Sequence, residues 1–270
     1  MIMSVYKPDL DLLKKSISSL INQTYPNIEI ILIDDGLSES ENKLLSKLLD
    51  KHMNIKYIKN SSNIGLTKSL NKGIKLAKGE LIARQDADDV SNESRIEKQV
   101  KRFKINERLG LLGTWYKVRL SENTVDYKPK GKKEALTEMM FSRNPFCHSS
   151  VMFRKSCLNE IGLYQEKFET TQDLDLWFRI AQTFDLEIIE EILIERNLGD
   201  HAISYGKKRW LQLINSLKIR LSYRKSFKTL KISPLKIYKS FLIGVLFNLS
   251  PKSTNTLQNL YLRFFKGRTP

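Results

Sequence analysis

An α/β fold, with a mostly parallel sheet flanked by helices and a basic helical extension at the C-terminus, is predicted by three features of the 270-residue sequence. Short apolar runs alternate with amphipathic segments through residues 1–115, the pattern of a sheet buried on both faces. Two of the apolar runs end directly in acidic turns, Asp34-Asp35-Gly36 and Asp86-Ala87-Asp88-Asp89. Charge is also divided unevenly. Residues 1–200 hold 31 basic and 30 acidic side chains, whereas residues 201–270 hold 15 basic and none acidic. The net +16 is a property of the tail, so the chain reads as a near-neutral body over 1–200 and a cationic extension over 201–270.

The elements follow in order. Met1 to Tyr6 reads as a strand. It opens at the initiator methionine, so either the strand is short or translation starts upstream. Leu10, Leu13, Ile17, Leu20 and Ile21 recur at helical spacing. Ile28 to Ile33 is a continuous apolar run, hence a buried strand before the Asp34-Asp35-Gly36 turn. Ser38 with Glu41 three residues on forms a capping box for a helix carrying Leu44, Leu45, Leu48 and Leu49. Ile55 to Ile58 is a third strand. A helix from Leu66 to Ala77 is expected to close on Gly79 in the left-handed conformation. Glu80 to Arg84 is a strand that runs into the second acidic turn.

Beyond this point the periodicity weakens. A helix is expected around Ile96, Val100 and Phe103, and a strand over Leu109 to Trp115. Residues 121–133 read as a polar loop, Val151 to Arg154 as a short strand, Asp173 to Thr183 as a helix, and Leu186 to Arg196 as a pair of extended runs. In the tail, residues 207–231 place Trp210, Leu213, Ile214, Leu217 and Leu221 on one helical face, and a second segment spans Leu235 to Leu249.

Composition removes several classes. Cys147 and Cys157 cannot build a disulfide framework and make no CxxC pair, which favours a reducing, cytoplasmic setting. His52, His148 and His201 are too dispersed for an HExxH-type metal site. No basic segment followed by an apolar one opens the chain. The longest strongly apolar run, Phe241 to Leu249, falls well short of the roughly 20 residues a spanning helix requires, so neither a leader nor a membrane span is expected.

Asp-x-Asp alone is a weak signal. Thirteen Asp in 270 residues give about 0.6 such pairs by chance, and the chain has three: Asp9/Asp11, Asp86/Asp88 and Asp173/Asp175. Only Asp86/Asp88 directly follows a buried strand, at the carboxyl end where open α/β sheets bind ligands. Three carboxylates in four residues repel one another and call for a divalent cation or firm hydrogen bonds, and hard oxygen ligands favour Mg²⁺ or Mn²⁺. The plain alternative is an acidic helix N-terminus. Asp34-Asp35-Gly36 is by itself a turn, yet a carboxylate there could accept from a base or ribose. Asp173 falls at a helix N-terminus, where the dipole favours an ionised carboxylate, as a general base requires. The alternative is an N-cap over a helix anchored by Trp177. His148 stands alone before a strand.

Together these residues resemble family 2 glycosyltransferases with the GT-A fold, in particular the amylovoran-synthesis type that builds bacterial exopolysaccharides and lipopolysaccharides. The matching segments are SVYKPDLDLLKKSISSLINQTYPNIEIILIDDG, NIGLTKSLNKGIKLAKGELIARQDADD, RNPFCHSSVMFRKSCLNEIGLY and QDLDLWFRI, which cover about residues 3–197 in the family's order. The resemblance implies that Ser4, Val5, Tyr6, Asp34 and Asp35 hold the base and ribose of a nucleotide-sugar. It places Asn63, Gly65 and Arg84 at the border of that pocket. Asp86 would reach the ribose and share a Mn²⁺ or Mg²⁺ ion with Asp88. Asp173 would be the catalytic base, and His148 and Trp177 would contact donor or acceptor. Two positions depart from the family pattern: Gln172 stands where the family has Glu, and Leu37 occupies the third position of the usual DGS turn.

The reaction so implied is metal-assisted single displacement from a nucleotide-diphosphate donor, a UDP-sugar by expectation. The acceptor hydroxyl belongs to a glycan or lipid-linked saccharide, and the anomeric carbon inverts. The basic amphipathic tail reads as an anchor on an anionic membrane surface, or alternatively as helices packed on the body with a solvated basic face. Three other readings compete. A nucleotidyltransferase would need a Gly-rich loop after the first strand, which SVYKPDLD lacks. A nucleic-acid-binding protein sits poorly with a near-neutral body. A non-catalytic nucleotide-sugar binder draws some support from Gln172.

Overall fold

The computed structural model describes residues 1–49, 52, 54–119, 123–197 and 208–249. Its first half follows the hydrophobic pattern closely. Strands β1 (Ile2–Val5), β2 (Ile30–Asp34) and β3 (Ile55–Lys59) pair in parallel in the order β1-β2-β3. Ile31 and Ile33 pack on one face with Ile2, while Ile30 and Leu32 pack on the other with Met3 and Val5. This two-sided burial is why the run in β2 is continuously apolar.

Helices α1 (Leu10–Ile21), α2 (Glu39–Leu49) and α3 (Leu66–Leu76) connect these strands and lead to β4 (Leu81–Ala83). Asp9 caps α1, accepting from the N–H groups of Asp11 and Leu12 at 2.9 and 3.1 Å, which accounts for the first Asp-x-Asp. The Ser38/Glu41 capping box forms reciprocally: Glu41 N–H donates to Ser38 Oγ at 3.3 Å, and Ser38 N–H donates to Glu41 Oε2 at 2.6 Å. The expected left-handed Gly79 is not found. Instead α3 ends in extended Ala77, and the Lys78 and Gly79 N–H groups donate to Glu29 Oε1 at 2.5 and 2.7 Å.

The second half is a mixed sheet. It contains β5 (Val90–Ser91), β6 (Leu109–Arg119), β7 (Thr124–Tyr127), β8 (Met152–Arg154) and β9 (Asp185–Asn197), ordered β4-β8-β6-β9-β5 with β7 on β6. Within it β6 and β9 are parallel and the other pairs antiparallel. A parallel bridge between Ile2 and Arg84 joins the two sheets beside β1 and β4. Part of the expected 121–133 loop is strand β7, fixed by Val118 opposite Val125 and by Tyr116 stacked on Tyr127 with centroids 4.9 Å apart. The two extended runs expected after Leu186 are one 13-residue strand, β9.

Helices α4 (Arg95–Ile105), α5 (Lys133–Met140), α6 (Cys157–Ile161) and α7 (Gln172–Thr183) cover the sheet, and α8 (Arg209–Tyr223) and α9 (Pro234–Leu249) follow. Of these α5 and α6 are too short to show a helical period in the sequence.

Helix α8 docks by an unexpected face. Its buried residues are Asn215, Ser216, Ile219 and Arg220, whereas Trp210 and Ile214 of the apolar stripe are exposed. Polar bonds explain this. Asn215 Nδ2 donates to Thr170 O at 3.3 Å, Arg220 Nε to Met140 O at 2.8 Å, and Tyr223 Oη to Asp175 Oδ1 at 3.0 Å. The first part of the extension is thus built onto the body. No helix among the described residues is long and apolar enough to cross a membrane.

Candidate active site

The carboxyl ends of β1, β2 and β4 lie at one end of the sheet because these strands run parallel. They deliver Ser4 to Tyr6, Asp34-Asp35 and Arg84 to Asp89 to the same region. Gly36 has φ +131°, and a β-carbon there would sit 3.2 Å from the Tyr6 ring and 3.9 Å from Asn63 Cβ. The half-exposed Tyr6 ring, the bare α-carbon of Gly36 and the exposed Asn63 therefore meet in one place.

Asp34 and Asp35 are buried and bonded internally. Asp34 Oδ1 accepts the N–H groups of Gly36 and Leu37 at 2.9 and 2.7 Å, and Oδ2 accepts the Tyr57 hydroxyl at 2.5 Å. Although burial opposes ionisation, the Tyr57 hydroxyl and the two amides hold the Asp34 carboxyl below the usual range. Asp35 accepts from Asn60 Nδ2, Ile64 N–H and Gly65 N–H at 2.8, 2.9 and 2.9 Å. What the two carboxylates directly produce is the shape of the Gly36 turn and of the Asn63-Gly65 loop, which opens α3.

The second acidic turn is a true cluster. Asp86, Asp88 and Asp89 each present an oxygen within 4.8 Å of the others, a hard-oxygen set suited to Mn²⁺ or Mg²⁺. The three differ in environment. Burial disfavours the Asp86 anion, but its ion pair with fully buried Arg84 prevails and holds its pKa at about 2. Burial and then the Asp86 charge push Asp88 up to about 6. Burial, Asp86 and Asp88 push Asp89 up to about 8. Ser149 Oγ lies 2.9 Å from Asp86 Oδ2 and 2.5 Å from Asp89 Oδ2. The same Oγ accepts the Asp86 N–H at 3.0 Å, so Ser149 ties the backbone of the turn to both carboxyls. Asp88 is the member with no side-chain partner among the described residues and the one freest to take a cation.

Two contributors come from the end of β9, which the sequence reading left unassigned. Asn197 N–H donates to Asp89 Oδ1 at 3.0 Å, and its Nδ2 donates to Asp88 O at 2.5 Å. Burial opposes the Arg196 charge, but Cys147, Asp89 and Asp86 outweigh it and hold its proton more firmly than usual, and Arg196 makes no ion pair among the described residues. A signal did exist: Arg196 and Asn197 follow the short apolar run Ile192-Leu193-Ile194 at the end of the strand.

Asp173 opens α7, and its Oδ2 accepts Asn144 Nδ2 at 2.9 Å. It lies within electrostatic reach of Arg84 and Asp86. The helix N-terminus does favour the anion through the Leu174 amide, but burial outweighs it and Arg84, and the Asp173 pKa is raised, which makes it the stronger base. The residue before Gln172, Thr171, is held in the left-handed region at φ +67°, with its Oγ1 donating to Gln212 O of α8 at 3.2 Å.

His148 Nε2 and Tyr164 Oη are 2.9 Å apart, and burial followed by the Arg84 charge keeps the imidazole neutral, well below its usual pKa. Trp177 is fully buried, with ring centroids 6.1 to 6.4 Å from Phe146, His148, Phe153 and Tyr164. This corrects its expected ligand contact: it supports His148 and Tyr164 from behind.

Comparison with known proteins identifies the family and the fold. The family model "Glycosyl transferase family 2" matches residues 1–162. An uncharacterized glycosyltransferase of Methanocaldococcus jannaschii is 32% identical over 233 residues, 84% of this chain and 80% of that protein. The amylovoran biosynthesis glycosyltransferase AmsE of Erwinia amylovora is 26% identical over 94% of both chains. Among solved structures, S. aureus TarS 1-349 in complex with UDP-GlcNAc has a TM-score of 0.68 at 16% identity, covering 94% of this chain and 74% of TarS. The mannosyltransferase PcManGT of Pyrobaculum calidifontis, in complex with GDP-Man and Mn²⁺, has a TM-score of 0.67 at 12% identity, covering 97% of this chain and 79% of PcManGT. The chain belongs to glycosyltransferase family 2 and has its GT-A-like α/β fold.

Proposed function

We propose that this enzyme transfers a sugar from a UDP-sugar to an acceptor hydroxyl, with inversion, during synthesis of a cell-surface polysaccharide. The observation that carries the reading is the convergence of Asp173, tied to Asn144, on the electrostatic field of Arg84 and the Asp86-Asp88-Asp89 cluster. Tyr6, Gly36 and Asn63 would border the nucleoside. Asp88, with Asp86 and Asp89, would hold Mn²⁺ or Mg²⁺, which when bound supplies a Lewis acid for the charge of the departing diphosphate. Arg196 adds fixed positive charge beside the same oxygens. Asp173 takes the proton of the acceptor hydroxyl, and attack from the face opposite the leaving group inverts the anomeric carbon.

The amylovoran relative and the UDP-GlcNAc complex of TarS support the pathway class and the nucleotide. The GDP-Man complex of PcManGT makes a guanosine donor the alternative. The same reading puts the acid-free extension against an anionic membrane surface, where a lipid-linked acceptor would reside. Nucleotide release from a panel of nucleotide-sugars, with and without Mn²⁺, tests it. UDP release from one UDP-sugar that rises with acceptor supports the reading, and no nucleotide release from any donor overturns it.

A further inference from the structure

Among the described residues ten large hydrophobic side chains are exposed, and seven of them lie on α8 and α9. On α9, Leu235, Tyr238, Leu242 and Leu246 are 74%, 50%, 58% and 59% exposed. At the helical turn angle they fall within an arc of about 80°, a single stripe with exposed Lys239 at its flank. Isolated exposed hydrophobics are ordinary; a contiguous stripe marks an interaction surface. The opposite side of α9 is taken up by α8, where a β-carbon on Gly244 would sit 2.5 Å from Leu213 Cδ1.

At the N-terminal end of this stripe, the corner between α8 and α9 forms an open hollow of about 430 Å³ bordered by Arg224, Lys225, Lys228 and Lys231, with Phe227 and Ile232 as its apolar wall. No carboxylate lines it. Lys236, at the start of α9, is paired with Glu138, but Lys225, Lys228 and Lys231 have no acidic partner among the described residues. The corner is also fixed in shape. Arg224 Nε donates to Ile232 O at 2.8 Å, Ile232 and Ile237 are buried, and Lys231 is held at φ +47°, a left-handed backbone that disfavours any side chain. The chain beyond α9 contains no acidic residue that could neutralise the hollow.

We propose that this corner binds the phosphate of an anionic phospholipid headgroup while the α9 stripe enters the lipid beside it. This rests on the membrane-surface reading above and sharpens it to a site. The pairing of cations with leucines decides the ligand class: a nucleic acid would satisfy the lysines and leave the leucines in water, whereas a lipid bilayer satisfies both.

Flotation of the full chain with phosphatidylcholine vesicles, with or without phosphatidylglycerol, tests the site. Wild type is expected to float only with the phosphatidylglycerol vesicles. Replacing Lys225, Lys228 and Lys231 by Gln should weaken that binding on the order of a hundredfold, at about fivefold per charge, without altering thermal stability or transfer to a soluble acceptor. Leu242→Ser with Leu246→Ser should abolish the binding that survives high salt. The proposal is overturned if the triple variant binds like wild type, or if millimolar inorganic phosphate displaces the protein from vesicles, which would make the corner a free-phosphate site. Wild type that never floats but still releases nucleotide would overturn the membrane reading and this site together, leaving the glycosyltransferase reading standing.

Discussion

Tyr223→Phe isolates one oxygen atom that fastens the C-terminal extension to the catalytic body. The Tyr223 hydroxyl donates to Asp175 Oδ1 at 3.0 Å, while Arg179 Nε and an Arg179 terminal nitrogen hold Asp175 Oδ2 at 3.0 and 2.9 Å. The ring itself stacks on Phe178, with centroids 5.1 Å apart and planes 13° from parallel, and phenylalanine preserves that contact. The variant therefore strips one donor from a buried, ion-paired carboxylate and little else. A hydrogen bond to a charged group contributes about 1.5–3 kcal/mol, so a destabilisation of that size is expected, or about 2–4 °C in Tm per kcal/mol. Urea unfolding and calorimetry measure it, and a cycle with Asp175→Asn assigns it to the pair. A loss below about 0.5 kcal/mol, or no coupling in the cycle, would refute the view that α8 is structurally part of the catalytic domain.

Three further outcomes are expected. Asp173→Asn should abolish transfer while leaving donor affinity within about twofold, since the amide keeps the shape but cannot take a proton; calorimetric titration and nucleotide release separate the two. EDTA should stop transfer and added Mn²⁺ or Mg²⁺ restore it, and full turnover in chelator would remove the metal from the Asp88 site. His148 is neutral in the fold at a pH where the unfolded chain is protonated. Its contribution to stability is complete above about pH 6.5 and declines as pH falls, by up to about 1.4 kcal/mol per pH unit. The drop in Tm between pH 7.5 and 5.5 should accordingly shrink in His148→Gln.

How much was legible in the sequence depended on how local each cause was. The parallel half was readable because β2 is buried on both faces and α1 and α2 carry side-chain caps within four residues of their own starts. Strand β7 was not, because Thr124–Tyr127 is polar and gains its order from Tyr116 and Val118 across the ladder. The Gly79 expectation failed because Glu29, fifty residues away in sequence, supplies the acceptor for the end of α3. Helix α8 carries an apolar stripe that predicts one docking face, yet buried polar bonds from Asn215, Arg220 and Tyr223 select another.

The candidate site divides the same way. Asp86, Asp88 and Asp89 announce themselves by adjacency and by following a strand, and Asp173 by opening a helix. Ser149, which bridges Asp86 and Asp89, lies 63 residues beyond the first of them, and Asn197 reaches Asp89 across 108 residues. The sequence by itself determined the family, the parallel sheet and the identity of the acids, because these depend on periodicity and short spacing. Only the tertiary structure decided which acid is paired with Arg84, which residue holds Asp173, and where the unpaired lysines gather. Burial and charge partners come from segments that meet only when the chain is folded.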